Sequence, residues 1–214
     1  MHKHSGMDLK IPNEMGKLQA RLTRPGDPPA SARWVVLSHP HPQYGGSMDN
    51  KIITTLARVF QQAGWGTLAY NFRGVGGSEG DYDEGIGEQY DLQAVVQWLR
   101  DNQTVDQLML AGFSFGSYVS IAQAEALQVD ALCTVAPPVN FYAMASMHPQ
   151  CEWLLIQGGQ DEVVPPEAVM QWALSRDQVP DVIWRQQAGH FFHRQLIWLK
   201  QMVTAHFHPS HRRV

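Results

Sequence analysis

The segment 108–116, Leu-Met-Leu-Ala-Gly-Phe-Ser-Phe-Gly, constrains this chain more than any other. An apolar run of strand character leads straight into Gly112-Phe113-Ser114-Phe115-Gly116, and a helix-compatible stretch rich in small residues follows at 117–127. A serine between two glycines at a strand-to-helix junction implies a tight, strained turn that lifts the hydroxyl clear of a sheet. Side chains in place of the glycines would collide with the strand and the helix. This is the pattern of a nucleophile elbow, and its flanks set it apart from a Gly/Ser turn that merely ends a strand.

Strands and helices alternate around it. Strands are expected at 17–23, 33–38, 67–71, 131–135, 153–157 and 182–185. Helices are expected near 50–63, 88–101, after Ser114, at 166–174 and at 191–205. The unbroken apolar character of Trp34-Val35-Val36-Leu37 suits a sheet covered on both faces. Together these features predict a single α/β domain over 1–214, a mostly parallel sheet with right-handed crossovers and helices on both faces. Residues 1–10 and 206–214 read as loosely ordered tails, and the Pro/Gly-rich 24–29 as a surface loop.

In such sheets the chemistry gathers at the carboxyl ends of the strands, which selects the polar residues able to reach Ser114. Asp161 follows the 153–157 strand in Gly-Gly-Gln-Asp-Glu, and His190 follows the 182–185 strand in Ala-Gly-His-Phe. The order Ser, Asp, His is the one this architecture uses for a catalytic triad. A serine hydroxyl is a poor nucleophile at neutral pH, so a neutral His190 would take its proton while Asp161 fixes the imidazole tautomer and stabilises the imidazolium. Glu162 is a competing carboxylate next door, and His193 is expected on the closing helix with no chemical role.

The loop after Leu37, Ser-His-Pro-His-Pro-Gln-Tyr-Gly-Gly, is the second informative region. Acyl transfer needs two donors for the developing oxyanion, one being the backbone N–H of Phe115, the other coming from this loop. Pro40 and Pro42 have no N–H, leaving His41, Gln43 or Tyr44, of which His41 lies nearest the strand end. A metal is not expected: His39 and His41 lie in a proline-locked segment with no third ligand at zinc-like spacing. The glycine-rich turn 73–80 lacks the third glycine of a dinucleotide loop, and Arg73 is expected to be anchored on Glu88 or Asp91.

These three stretches, His39-Pro40-His41-Pro42 through Gly45-Gly46-Ser47-Met48-Asp49-Asn50-Lys51, then Asn71-Phe72-Arg73-Gly74 through Gly80, then Gly112 to Gly116, resemble the α/β-hydrolase superfamily. Within it the chain is similar to a group of small bacterial serine hydrolases. The resemblance implies Ser114, Asp161 and His190 as triad and Phe115 as one oxyanion donor, while the chain lacks the His-Gly-Gly-Gly loop of the superfamily's lipases. Only 136–151 separates the strands at 131–135 and 153–157, which leaves little room for a cap. Pro138 through Met144 could form an adaptable apolar lip, so Tyr44, Pro138 and Met144 are the candidate substrate contacts.

Composition narrows the function classes. With 214 residues, 44% hydrophobic and 17% charged, the chain can bury one substantial core. A net charge of −4 supplies no electropositive surface for nucleic acid or anionic membrane. Cys133 and Cys151 form no disulfide framework, no apolar signal-peptide core follows Met1, and a reducing cytoplasm is the expected home. The reading is thus a cofactor-independent hydrolase of small, soluble carboxylic esters or thioesters, a monomer or homodimer with a small-molecule acyl substrate as its partner. A peptidase or acyltransferase with the same triad, or a scaffold that no longer catalyses, are the alternatives.

Overall fold

The computed structural model describes residues 6–25 and 32–207. Positions 26–29 of the Pro/Gly-rich loop and the tail beyond 207 lie outside them. The elements run β1 (Met7–Asn13), β2 (Gly16–Thr23), β3 (Arg33–Ser38), α1 (Lys51–Gln62), β4 (Gly66–Tyr70), α2 (Gly87–Asn102), β5 (Gln107–Phe113), α3 (Phe115–Gln123), β6 (Ala131–Val135), β7 (Glu152–Gly158), α4 (Pro166–Leu174), β8 (Asp181–Arg185) and α5 (Leu196–Phe207). The strands form one sheet in the order β1-β2-β4-β3-β5-β6-β7-β8. Pairing is antiparallel across β1, β2 and β4 and parallel from β4 to β8. A single-domain α/β fold with a mostly parallel sheet is therefore what the alternation of elements produces.

Period-two alternation explains why the central strands read as continuous apolar runs. Val36, Leu108, Leu110, Leu132 and Leu155 face one core, into which α2 inserts Leu92, Val95, Val96 and Leu99. Val35, Leu37, Met109, Ala111, Cys133 and Ile156 face the other, closed by α1 and α5. On α1 the buried positions are Ile52, Ile53, Leu56, Val59 and Phe60, an i, i+1, i+4, i+7, i+8 stripe. Each such side chain contributes roughly 1.5–3 kcal/mol on burial. Asn50 caps this helix, its Oδ1 accepting the Ile52 N–H at 2.9 Å.

Two expectations are corrected. Residues 7–10 are not a tail but part of β1, an edge strand paired with β2 from Met7 opposite Leu22 to Asn13 opposite Gly16. Its alternation is polar because only Ile11 is buried. The closing helix starts at Leu196 rather than Phe191, since Phe192 and Arg194 adopt positive φ of 50° and 61°, which a right-handed helix cannot contain, and it runs to Phe207, so 206 and 207 belong to it and not to a tail. His193 consequently sits exposed in a turn ahead of α5.

Candidate active site

Ser114 occupies the junction of β5 and α3 with φ 52° and ψ −117°, a backbone geometry that costs energy and persists only where its surroundings enforce it. Those surroundings are close. A Cβ on Gly112 would lie 2.3 Å from the Gly116 carbonyl oxygen, and one on Gly116 would lie 2.0 Å from the Ser38 carbonyl oxygen. The Ser114 N–H donates to the Val135 oxygen at 2.9 Å, tying the turn to β6. Ser117 adds a hydroxyl that donates to the Gly112 oxygen at 2.8 Å.

The turns after β7 and β8 bring Asp161 and His190 to this point. Ser114 Oγ lies 3.1 Å from His190 Nε2, and His190 Nδ1 donates to Asp161 Oδ2 at 2.9 Å. All three residues are buried. Asp161 Oδ1 accepts the Val163 and Val164 amides at 2.9 and 2.7 Å, and Oδ2 also accepts Gln157 Nε2 at 3.0 Å. Burial works to raise the Asp161 carboxyl, but the hydrogen bond and charge of His190 and the two loop amides outweigh it and hold the group below its usual value. Glu162 serves differently: its Oε2 accepts the backbone N–H of His190 at 3.1 Å and so braces the loop, not the ring.

Phe115 is the first residue of α3, and its N–H has no partner among the described residues, as a helix N-terminus allows. In the facing loop the Gln43 N–H is taken by His41 Nδ1 at 3.2 Å and the Tyr44 N–H by the His41 oxygen at 3.2 Å. Of the three amides, only that of His41 is left without a partner. The His41 ring is held as well. Because Nδ1 accepts, Nε2 carries the proton and faces the Tyr82 hydroxyl at 3.1 Å, and the ring packs against Tyr44, Tyr82 and Phe115. Gly46 lets this loop fold tightly, since a Cβ there would meet the Pro40 oxygen at 2.0 Å.

His39 is a strut. Its Nδ1 donates to the Pro40 oxygen at 2.6 Å while Nε2 accepts the Phe72 N–H at 3.0 Å, so both nitrogens are committed and the ring must stay neutral. Burial pushes its pKa down to about 4. Stability from this residue is therefore complete above pH 6.5 and is lost as pH falls from 6.5 towards 4, by on the order of 3 kcal/mol. Glu88, raised by burial, acts in the opposite direction. Urea unfolding at pH 7 and pH 4 is expected to show a larger loss for wild type than for His39→Gln. Equal losses would remove His39 from this account. No group of three or more metal-ligating side chains occurs among the described residues.

A cavity of about 510 Å³ opens over Ser114. Its walls include Pro40, His41, Tyr44, Asn50, Phe115, Pro138, Phe141, Tyr142, Val163, His190 and Phe191. Tyr44 and Pro138, two of the candidate substrate contacts, thus line it. Met144 does not: it is buried in the core, and its carbonyl accepts Trp172 Nε1 and Arg176, which draws the far end of the lip away from the cavity. Of the two carboxylates proposed for Arg73, Asp91 takes the ion pair, at 2.9 Å, whereas Glu88 accepts the Asp83 and Gly85 amides. The sequence reading missed Tyr82, Gln157 and Asn50. Gln157, four residues before Asp161 at the end of β7, had a positional signal; Tyr82, reached through a long loop, had none.

The segment between β6 and β7 contains no helix or strand, so it forms no helical cap over the cavity. A family model described as X-Pro dipeptidyl-peptidase (S15 family) matches residues 16–150. The chain belongs to that family of α/β hydrolases. Its matched part contains the elbow, whereas Asp161 and His190 lie beyond it. This hydrolase is 37% identical to an α/β serine hydrolase without lid from Xanthomonas campestris, over 98% of each chain, with a TM-score of 0.90. It is 39% identical to an α/β serine hydrolase homologue from Coxiella burnetii, over 97% of this chain and 100% of that one, again with a TM-score of 0.90. An uncharacterized Rickettsia prowazekii protein is 32% identical over 160 residues, 72% of this chain and 66% of the relative's length.

Proposed function

We propose that the chain hydrolyses carboxylic esters through an acyl-enzyme. The observation that carries this reading is the unbroken hydrogen-bonded line from Ser114 through His190 to Asp161, ending at a cavity where the Phe115 and His41 amides are unengaged. Ser114 Oγ attacks the ester carbonyl carbon as its proton passes to His190 Nε2. The negative charge that gathers on the carbonyl oxygen is met by the two N–H groups. Collapse of the tetrahedral species breaks the bond to the alcohol oxygen, which takes the proton from His190 as it leaves. Water, activated by the same imidazole, then attacks the acyl-serine and restores the free hydroxyl.

Peptide hydrolysis is the second reading, favoured by the family's description, and the same groups would serve it. A fluorophosphonate probe followed by mass spectrometry tests the proposal. Stoichiometric modification at Ser114 with parallel loss of ester turnover is expected. An unreactive Ser114 in folded protein would instead indicate a scaffold that no longer catalyses. A small-molecule acyl substrate is the proposed partner, in a reducing, cytoplasmic setting suited to the buried free thiol of Cys133. No helix of the described residues is long and apolar enough to cross a membrane.

A further inference from the structure

Eleven large hydrophobic side chains are exposed among the described residues, and four of them, Tyr44, Phe141, Val163 and Phe191, stand around the mouth of the cavity over Ser114. They are 86%, 60%, 39% and 45% exposed and come from four separate loops, those after β3, β6, β7 and β8. Apolar groups gathered from unrelated stretches of chain around one opening, with no cap over them, form a surface that a ligand must cover to desolvate. Among the described residues, no Asp, Glu, Lys or Arg side chain lines the cavity. Both oxygens of the buried Asp161 accept two donors each, and the exposed Glu162 directs one oxygen to the His190 N–H. The His41 ring adds no charge, its nitrogens being taken by Gln43 and Tyr82 and its pKa lowered by burial.

We infer that this site selects an uncharged ester carrying an aryl or medium-length alkyl group, which lies on the rim formed by Tyr44, Phe141, Val163 and Phe191. This rests on the ester-hydrolase reading above. It also separates the chain from the substrate in its family's description. A dipeptide entering with a free α-ammonium would give up water and find no carboxylate among the residues that line the cavity, and a charge moved out of water without a partner is strongly disfavoured. A cavity of about 510 Å³ falls within the range that encloses a small organic ligand, and its breadth is apolar.

The test compares 4-nitrophenyl hexanoate with 4-nitrophenyl esters of matched length ending in an ammonium or a carboxylate, and with an alanyl-proline 4-nitroanilide. Wild-type kcat/KM is expected to favour the neutral ester by about tenfold or more over every charged competitor. Phe141→Glu is expected to shift the ratio of ammonium ester to neutral ester upward by about tenfold, and Tyr44→Glu, on another of the four loops, to do the same. Fluorophosphonate labelling of Ser114 in each protein separates the outcomes. Labelled wild type that prefers a charged substrate, or labelled variants of unchanged ratio, would overturn the inference while leaving the hydrolase reading intact. A folded wild type that neither labels nor turns over any ester would overturn both.

Discussion

Replacing Ser114 by alanine is expected to lower ester turnover by about 10⁴-fold or more while the protein stays folded. The hydroxyl's hydrogen-bond partner is His190, so its removal leaves only one imidazole nitrogen without a neighbour at the edge of the cavity. Alanine keeps the Cβ that Ser114 already places at φ 52°, so the strain of the turn is unchanged. The glycines that permit the turn are untouched. Thermal unfolding should therefore move little while the hydrolysis of any accepted ester collapses. Wild-type turnover in purified Ser114→Ala would dispose of the mechanism.

Asp161→Asn is expected to cost about as much, on the order of 10⁴ in kcat, for a different reason. Four donors converge on the carboxylate: the Val163 and Val164 amides on one oxygen, Gln157 Nε2 and His190 Nδ1 on the other. An amide offers one oxygen and one NH₂. Kept on the loop amides, the oxygen leaves the NH₂ facing His190, which must then accept on Nδ1 and carry its proton on Nε2, where it can no longer take one from Ser114. Turned the other way, the NH₂ opposes two backbone donors and the loop loses its anchor. Because the folded carboxyl lies below its ordinary value, the ionised form also contributes stability above the unfolded pKa, lost as pH falls through the folded one. Glu162→Gln is the control and should cost far less, since Glu162 meets the backbone of His190. The reverse ranking would reassign the acid.

The parts of the fold legible from sequence are those in which local and long-range demands coincide. The elbow is one: each glycine of 112–116 answers a contact within 2.3 Å or less of where a Cβ would stand. The strands β3 and β5 to β7 are others, since two covered faces leave no room for polar alternation. The parts that were not legible depend on partners distant in the chain. β1 looks like a charged tail until β2 supplies its hydrogen bonds, and then Asp8 pairs with Arg21. The start of α5 is set by positive φ at Phe192 and Arg194, positions with no glycine to announce them. Met144 was drawn inward by Arg176, some thirty positions away, whose guanidinium holds the carbonyls of Ala145 and Met147 as well. Tyr82 reaches His41 through a loop anchored on Glu88, and no pattern in the chain connects them.

The proposed nucleophile and its base belong to parts of the sheet with unequal tenacity. Ser114 follows β5, a strand flanked on both sides by paired strands, whereas His190 follows β8, the last strand in the order, whose residues are exposed or half-buried. Edges and termini of a structure open at a fraction of the free energy that the whole requires. A fraying of β8 that leaves the core and the elbow intact would carry the imidazole away from the hydroxyl and interrupt the proton's route. The margin that protects chemistry is thus narrower than the margin that protects the fold, and it is set by one peripheral strand.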